Sequence, residues 1–182
     1  MKRTNIKSTG FNILCLDPSL TNFGYAIVCK DKVLATGCIS TKPTTKKMRI
    51  RKSDDRLNRV SEINETLKEA MELYPIKYIV SELPHGSQNA AASIALGLIS
   101  GSVQGMADFL NIGLEWYSEA DCKKALLGKI SATKEETIIA IARKYEVAWP
   151  GAKYKKEAIA DALQVYYCAN RNSATIRVMK NL

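Results

Sequence analysis

Short apolar runs bounded by turn residues fill the N-terminal part of the chain and recur singly further on. Between the later runs, apolar positions return every three to four residues. The first spacing is that of β-strands and the second that of amphipathic helices. Three strands are predicted at the start: Asn12 to Asp17, Gly24 to Cys29 and Val33 to Ser40, with Lys30-Asp31-Lys32 as the tight turn between the last two. Successive hairpins of this kind form an antiparallel meander. From Asp54 the residues Leu57, Val60, Ile63 and Leu67 follow helical spacing until Pro75 stops it. Ile76 to Val80 reads as a fourth strand, Gln88 to Leu110 as a long helix, and Gly113 to Tyr117 as a fifth strand.

The C-terminal part is helical. A helical turn carries Lys123 and Lys124, and Thr133 with Glu136 three residues later has the form of a capping box opening the next helix. Trp149-Pro150-Gly151 breaks the chain, Lys155 to Ala169 is the last clear helix, and a polar basic tail follows from Asn170. The element order predicts an α/β fold: a five-stranded mixed sheet, three antiparallel strands then parallel ones, flanked by helices. Nothing repeats internally. The expected organisation is a basic leader over 1–10, one domain over 11–170 and the tail over 171–182.

A net charge of +9 over 182 residues, with a pI near 9.3, points to a polyanionic partner, nucleic acid before membrane. Aromatic residues make up 7% of the chain, too few for a base-stacking platform to be the obvious design. The segment Thr41 to Lys52 holds Lys46, Lys47, Arg49 and Arg51 and no acid; it reads as a mobile basic loop that touches DNA or as a solvated linker. Five cysteines without a C-x-x-C pair read as small buried hydrophobes in a reducing compartment, which implies a cytoplasmic protein. Met1 to Gly10 lacks the apolar core of a signal peptide. Ala90 to Leu110, broken by Ser, Gln and Gly, reads as a buried helix, not a membrane span. Its Gly97, Gly101 and Gly105 share one face, for tight packing on the sheet or against a second subunit.

Two of the apolar runs deliver one acid each, Asp17 and Glu82. The last helix carries Glu157 and Asp161 four apart on one face. Singly, Asp17 could simply accept hydrogen bonds from its turn, and the helix acids could be solvated. Together they form an oxygen-only set of the kind selected by Mg²⁺ or Mn²⁺, with no His or Cys group competing for a softer metal. Two such ions, about 3.5 to 4 Å apart, clamp the attacking and leaving oxygens of a phosphodiester. On a basic chain this set predicts a nuclease.

The chain resembles the RuvC-like Holliday junction resolvases of the ribonuclease H-like superfamily. The resemblance rests on Leu16-Asp17-Pro18-Ser19 with Gly24, Val80-Ser81-Glu82, the small-residue helix around Ala95 to Gly105, Lys123 to Gly128 followed by Ala132-Thr133-Lys134-Glu135, and Ile159-Ala160-Asp161-Ala162-Leu163. It implies that Asp17, Glu82 and Asp161 bind metal, that Lys123 and Lys134 meet DNA near the scissile phosphate with Lys134 as catalytic helper, and that Lys124 lies in the same basic stretch. It also implies a homodimer that nicks a four-way junction symmetrically with Mg²⁺, for which Mn²⁺ substitutes. Where the family pattern has an acid or histidine three residues before the last aspartate, this chain has Ala158, and Glu157 is the neighbouring candidate for metal and catalysis. Where an aromatic wedge is expected it has His85, either a DNA contact or a polar turn residue.

The expected function is therefore a metal-dependent endodeoxyribonuclease that resolves Holliday junctions and other branched DNA. The alternatives are an RNA-processing nuclease of the same fold and a junction-binding scaffold without catalysis. An actin-like ATPase would need a second lobe that this chain has neither the length nor the repeat to build.

Overall fold

The computed structural model describes residues 10–45, 50–86 and 89–180. Lys46, Lys47, Arg49 and Gln88 lie outside them. The five strands are β1 (Asn12–Asp17), β2 (Asn22–Cys29), β3 (Lys32–Ser40), β4 (Ile76–Leu83) and β5 (Gly113–Ser118). The helices are α1 (Lys52–Leu73), α2 (Ala90–Phe109), α3 (Glu119–Leu127), α4 (Lys134–Ala142), α5 (Lys153–Asn172) and α6 (Ala174–Met179).

One sheet in the order β3-β2-β1-β4-β5 carries the fold. The β1–β2 and β2–β3 pairs are antiparallel, whereas β4 runs parallel to both β1 and β5. The β2–β3 turn is tight because Lys30 and Asp31 both take positive φ, 46° and 65°, the twist that a two-residue hairpin needs.

Alternation along β1 divides the core in two. Ile13 and Cys15 face the side covered by α3, α4 and α5, while Leu14 and Leu16 face α1 and α2. The same parity sends Asp17 to the α5 side. On β4, Val80 packs on the α5 side and Ile79 on the other, so Glu82 continues the α5 row. The strand extends to Leu83, so Glu82 lies within it and not in the following loop.

α5 is the central helix, buried nearly all round between Ala158 and Ala169. Gly24 permits this: a Cβ there would stand 2.1 Å from the carbonyl oxygen of Ala158. Gly24 pairs with Asp17 across β1–β2, so this close helix–sheet approach lies beside the first acid.

Three expectations are corrected. The segment from Asn170 is no free tail: α5 runs to Asn172, Ser173 caps α6, and Ile176 is fully buried. Its anchors are polar, with Ser173 Oγ donating to Glu115 Oε1 at 2.8 Å and Lys180 Nζ donating to Asp31 at 2.5 Å, the acid that also accepts from Tyr166 Oη of α5 at 2.8 Å. The described ends of the basic loop are also fastened. Thr41 is buried, and Arg59, only 8% exposed, donates to Thr41 Oγ1 at 2.7 Å and to the Leu20 carbonyl at 3.0 Å. Thr44 N donates to Asp55 Oδ1 at 2.6 Å.

The third concerns α2, which buries one side through Ile99, Val103 and Ala107 and leaves the other open. A Cβ on Gly97, Gly101 or Gly105 would meet nothing within 4 Å. Tight packing on the sheet is thus not the reason for these glycines. By length and composition α2 is the one helix among the described residues that could cross a membrane.

Candidate active site

The parallel arrangement of β1 and β4 brings their C-terminal ends, and with them Asp17 and Glu82, to the same edge of the sheet. Asp161 arrives from α5, with 5% of its surface exposed. An isolated carboxylate buried this far is expensive. Its partner is Lys134, whose Nζ donates to Asp161 Oδ2 at 2.6 Å. Lys134 is the first residue of α4, held there by the predicted box: Thr133 accepts from Glu136 N at 3.2 Å, and Glu136 accepts from Thr133 N at 2.8 Å. A cation at a helix N-terminus opposes the helix dipole, so Lys134 serves the carboxylates and not α4.

The three acids perturb one another. Burial, then Asp161 and Glu82, push the Asp17 carboxyl well above the usual range, with Lys134 opposing. Burial, then Asp161 and Glu119, raise Glu82 to about 7. Burial also raises Asp161, although Lys134 pulls it back. Burial works to lower the Lys134 ammonium, but Asp161, with Asp17 and Glu82 behind it, outweighs burial and holds it above the ordinary lysine value. This is the response of acids confined together without enough positive charge.

Glu119 is a member that sequence reasoning missed. β5 pairs in parallel with β4, setting Tyr117 beside Glu82, and the chain then turns into α3 at Glu119. Its charge acts on Asp17, Glu82 and Asp161 alike. Lys123, one turn along α3, lies 2.6 Å from Glu119 Oε1, and the hydrogen bond from that lysine holds the carboxyl below its usual range. The available signal was a further apolar-bounded strand, Gly113 to Tyr117, with an acid two residues beyond its end.

The structure does not gather every expected residue. Glu157 lies 3.9 Å from Lys153 and is not among the leading charges on the other three acids. It stands one helical turn, about 6 Å along the axis, before Asp161, while Ala158 is spent on the contact with Gly24. His85 is exposed, its Nε2 3.8 Å from Glu119 Oε2. Lys124 is exposed on α3, in a hollow with Asp121 and Arg171. Arg51 pairs with Asp54 at 2.7 Å in the first turn of α1. A hollow of about 1000 Å³ lies between α1 and α2 beside Ile76, at the opposite end of β4 from Glu82, and so is not this site.

The carboxylates suit a hard divalent cation in donor type, burial and excess negative charge. Among the described residues no three His, Cys, Asp or Glu side chains yet converge on one point, and the contact that Asp161 makes is with Lys134.

A mixed sheet whose antiparallel meander passes into parallel strands, with acids at their C-terminal edge and a helix acid laid across them, defines a ribonuclease H-like domain. The chain belongs to the family described as crossover junction endodeoxyribonuclease RuvC, whose model matches residues 13–169. It is 28% identical over 133 residues to the RuvC of Rickettsia typhi, covering 71% of this chain and 79% of that one. It is 25% identical over 167 residues to the RuvC of Gluconobacter oxydans, covering 90% and 92%. Among solved structures, Thermus thermophilus RuvC superposes with a TM-score of 0.69 at 19% identity, over 90% of this chain and 98% of that one. The yeast mitochondrial Holliday junction resolvase gives 0.64 at 13% identity, over 97% and 85%. At those identities the structural likeness shows the fold. Nucleases of this family are generally dependent on divalent metal.

Proposed function

We propose that this protein is an endodeoxyribonuclease that binds four-way DNA junctions and nicks paired strands by phosphodiester hydrolysis, using Mg²⁺ or Mn²⁺ held by Asp17, Glu82 and Asp161. The reading is carried by the convergence of β1, β4 and α5, which sets three mutually repelling carboxylates at one sheet edge in a chain of net charge +9. A relative from Thermus thermophilus has been solved in complex with a Holliday junction substrate, which supports junction DNA as the ligand.

When bound, divalent cations supply Lewis acidity and offset the charge that builds on the phosphate. The chain's own residues do the rest. The acids fix the position of that positive charge, since the buried Asp161 is locked in the body of α5 and the partly buried Glu82 in β4. Lys134 balances Asp161 in the free protein, and its side chain, 46% exposed, stands at the edge where a phosphate would arrive. Lys123 and His85 stand at that edge through Glu119, Lys124 adds an exposed charge on α3, and Arg51 one at the start of α1, while Lys46, Lys47 and Arg49, outside the described residues, are DNA contacts on the sequence alone. A single catalytic domain over 11–170, stiffened by α6, suffices for this chemistry.

The open side of α2 supports a homodimer. Ile94, Gly97, Gly101 and Gly105 form one stripe on which Ile94 is 53% exposed, and Phe109 near its end is 89% exposed. From Ala90 to Met106 the helix has no charge, in a chain that is 25% charged. Self-association covers this stripe and supplies the second site that paired nicks need. Five free cysteines favour a reducing compartment, the cytoplasm.

The test is cleavage of a labelled four-way junction beside a three-way junction, linear duplex and structured RNA, each with Mg²⁺, Mn²⁺ or EDTA. Paired nicks in opposite strands of the four-way junction, absent in EDTA, are expected. Cutting of RNA alone would move the function to RNA processing, and tight junction binding without nicks under any metal would leave a scaffold.

A further inference from the structure

Both lysines expected to meet DNA are already occupied in the free protein, each by a carboxylate of the site. Lys134 is paired with Asp161 and Lys123 with Glu119, both at 2.6 Å. The two pairs differ in kind. Asp161 is locked in the core, its side chain 7% exposed, whereas Glu119 opens α3 with its side chain 32% exposed and is free to turn outward. Lys123 is the more enclosed partner of its pair, 15% exposed, and its charge acts on Glu82 at the same edge, where His85 also approaches Glu119.

We infer that Glu119 is a positioning residue that holds Lys123 beside the acid cluster in the free protein and yields it to a phosphate of bound DNA. The inference rests on the reading of the protein as a junction-binding nuclease. Glu119 is suited to this for three reasons. A carboxylate and a phosphate oxygen offer an ammonium the same charge-assisted hydrogen bond, so the exchange costs no contact. The residue stands at the start of α3, where the helix dipole favours its charge with or without Lys123. His85, 3.8 Å away on the other side, gives the released carboxylate a second cationic neighbour when that ring is protonated. Until the exchange, Lys123 is screened from solution and Glu119 adds to the negative field that repels a phosphate. The pair therefore sets a threshold for docking at this edge.

The experiment is the dissociation constant of a labelled four-way junction in EDTA, over a range of salt, for the full chain and for E119Q, K123M, E119Q/K123M and E157Q, each checked for folding by circular dichroism. E119Q is expected to tighten binding about fivefold, the scale of a modest coupling. K123M is expected to weaken binding and to reduce the salt dependence by about one phosphate contact. In the K123M background, E119Q should change binding by less than about twofold, because the cycle isolates the pair. E157Q, which removes the same charge from a neighbouring helix, should also change it by less than about twofold. An equal gain from E119Q and E157Q, or a gain from E119Q that survives K123M, would make Glu119 one more repelling charge and overturn the inference. A wild-type chain that binds no junction would overturn the function reading as well, and so separates the two failures.

Discussion

Lys134 Nζ and Asp161 Oδ2 stand 2.6 Å apart, joining the first residue of α4 to the middle of α5. The pair joins a lysine whose side chain is half exposed to a carboxylate that is nearly sealed, so the two ends do not lose equally when it is broken. Lys134→Met leaves Asp161 buried and unpaired. Because the Lys134 side chain is 46% exposed and its charge screened, the expected loss in the metal-free protein is only about 1 kcal/mol. Thermal unfolding at pH 8 reads it. Added Mg²⁺ should recover much of the loss, since it supplies the missing charge, and no recovery would mean that Asp161 does not face the cation.

Neutralising the acids separates chemistry from binding. Asp17→Asn, Glu82→Gln and Asp161→Asn should each lower nicking of a four-way junction by at least about a hundredfold, the usual cost of removing one electrostatic stabiliser. Junction binding should hold or improve, since each variant carries less negative charge toward DNA. Full nicking by any of the three would remove that residue from the site.

The metal-free protein should lose stability with rising pH through this cluster. Glu82 is raised from 4.5 to about 7, so the folded state holds its proton more tightly than the unfolded chain does. Its contribution is then complete below about pH 4.5 and disappears as pH passes 7. Asp17 is shifted the same way. Between pH 5.5 and 8.5 in EDTA, the wild type should lose on the order of 2 kcal/mol relative to Glu82→Gln. Saturating Mg²⁺ should abolish the difference, because the cation favours the ionised carboxylates. Melting curves of both proteins at the two pH values decide it; parallel behaviour in EDTA would contradict the raised Glu82.

Gly24→Ala tests the approach of α5 to β2. The added methyl would press on the Ala158 carbonyl, a backbone atom with no rotamer to give way. A loss of about 3 kcal/mol or more is expected, the upper end of overpacking. Nicking should fall further than stability at a permissive temperature, since the same shift carries Asp161 away from Asp17 and Glu82. Urea unfolding and single-turnover nicking measure the two effects separately.

Gly101→Glu puts a charge in the middle of the open α2 stripe, where a side chain meets nothing in the isolated chain. Monomer stability should change by less than about 1 kcal/mol, the propensity scale for an exposed helix position. Sedimentation should shift from dimer to monomer, and paired nicks should give way to single ones. A variant that sediments like the wild type would place the dimer contact elsewhere.

Periodicity and turn chemistry determined the order and type of the five strands, the capping box at Thr133, and the delivery of Asp17 and Glu82 by apolar strands, because these depend on neighbours a few residues apart. Tertiary structure decided what depends on residues far apart in the chain. Ala158 is used up against Gly24 because α5 crosses β2 there, leaving Glu157 with Lys153. Glu119 joins the cluster because the β4–β5 register carries it there, and the segment after Asn170 folds back because Glu115 and Asp31 offer Ser173 and Lys180 partners from distant strands and turns. A sequence states which side chains are acidic. Which of them share a field is fixed by the register of strands and the crossing of one helix, and neither has a local signature.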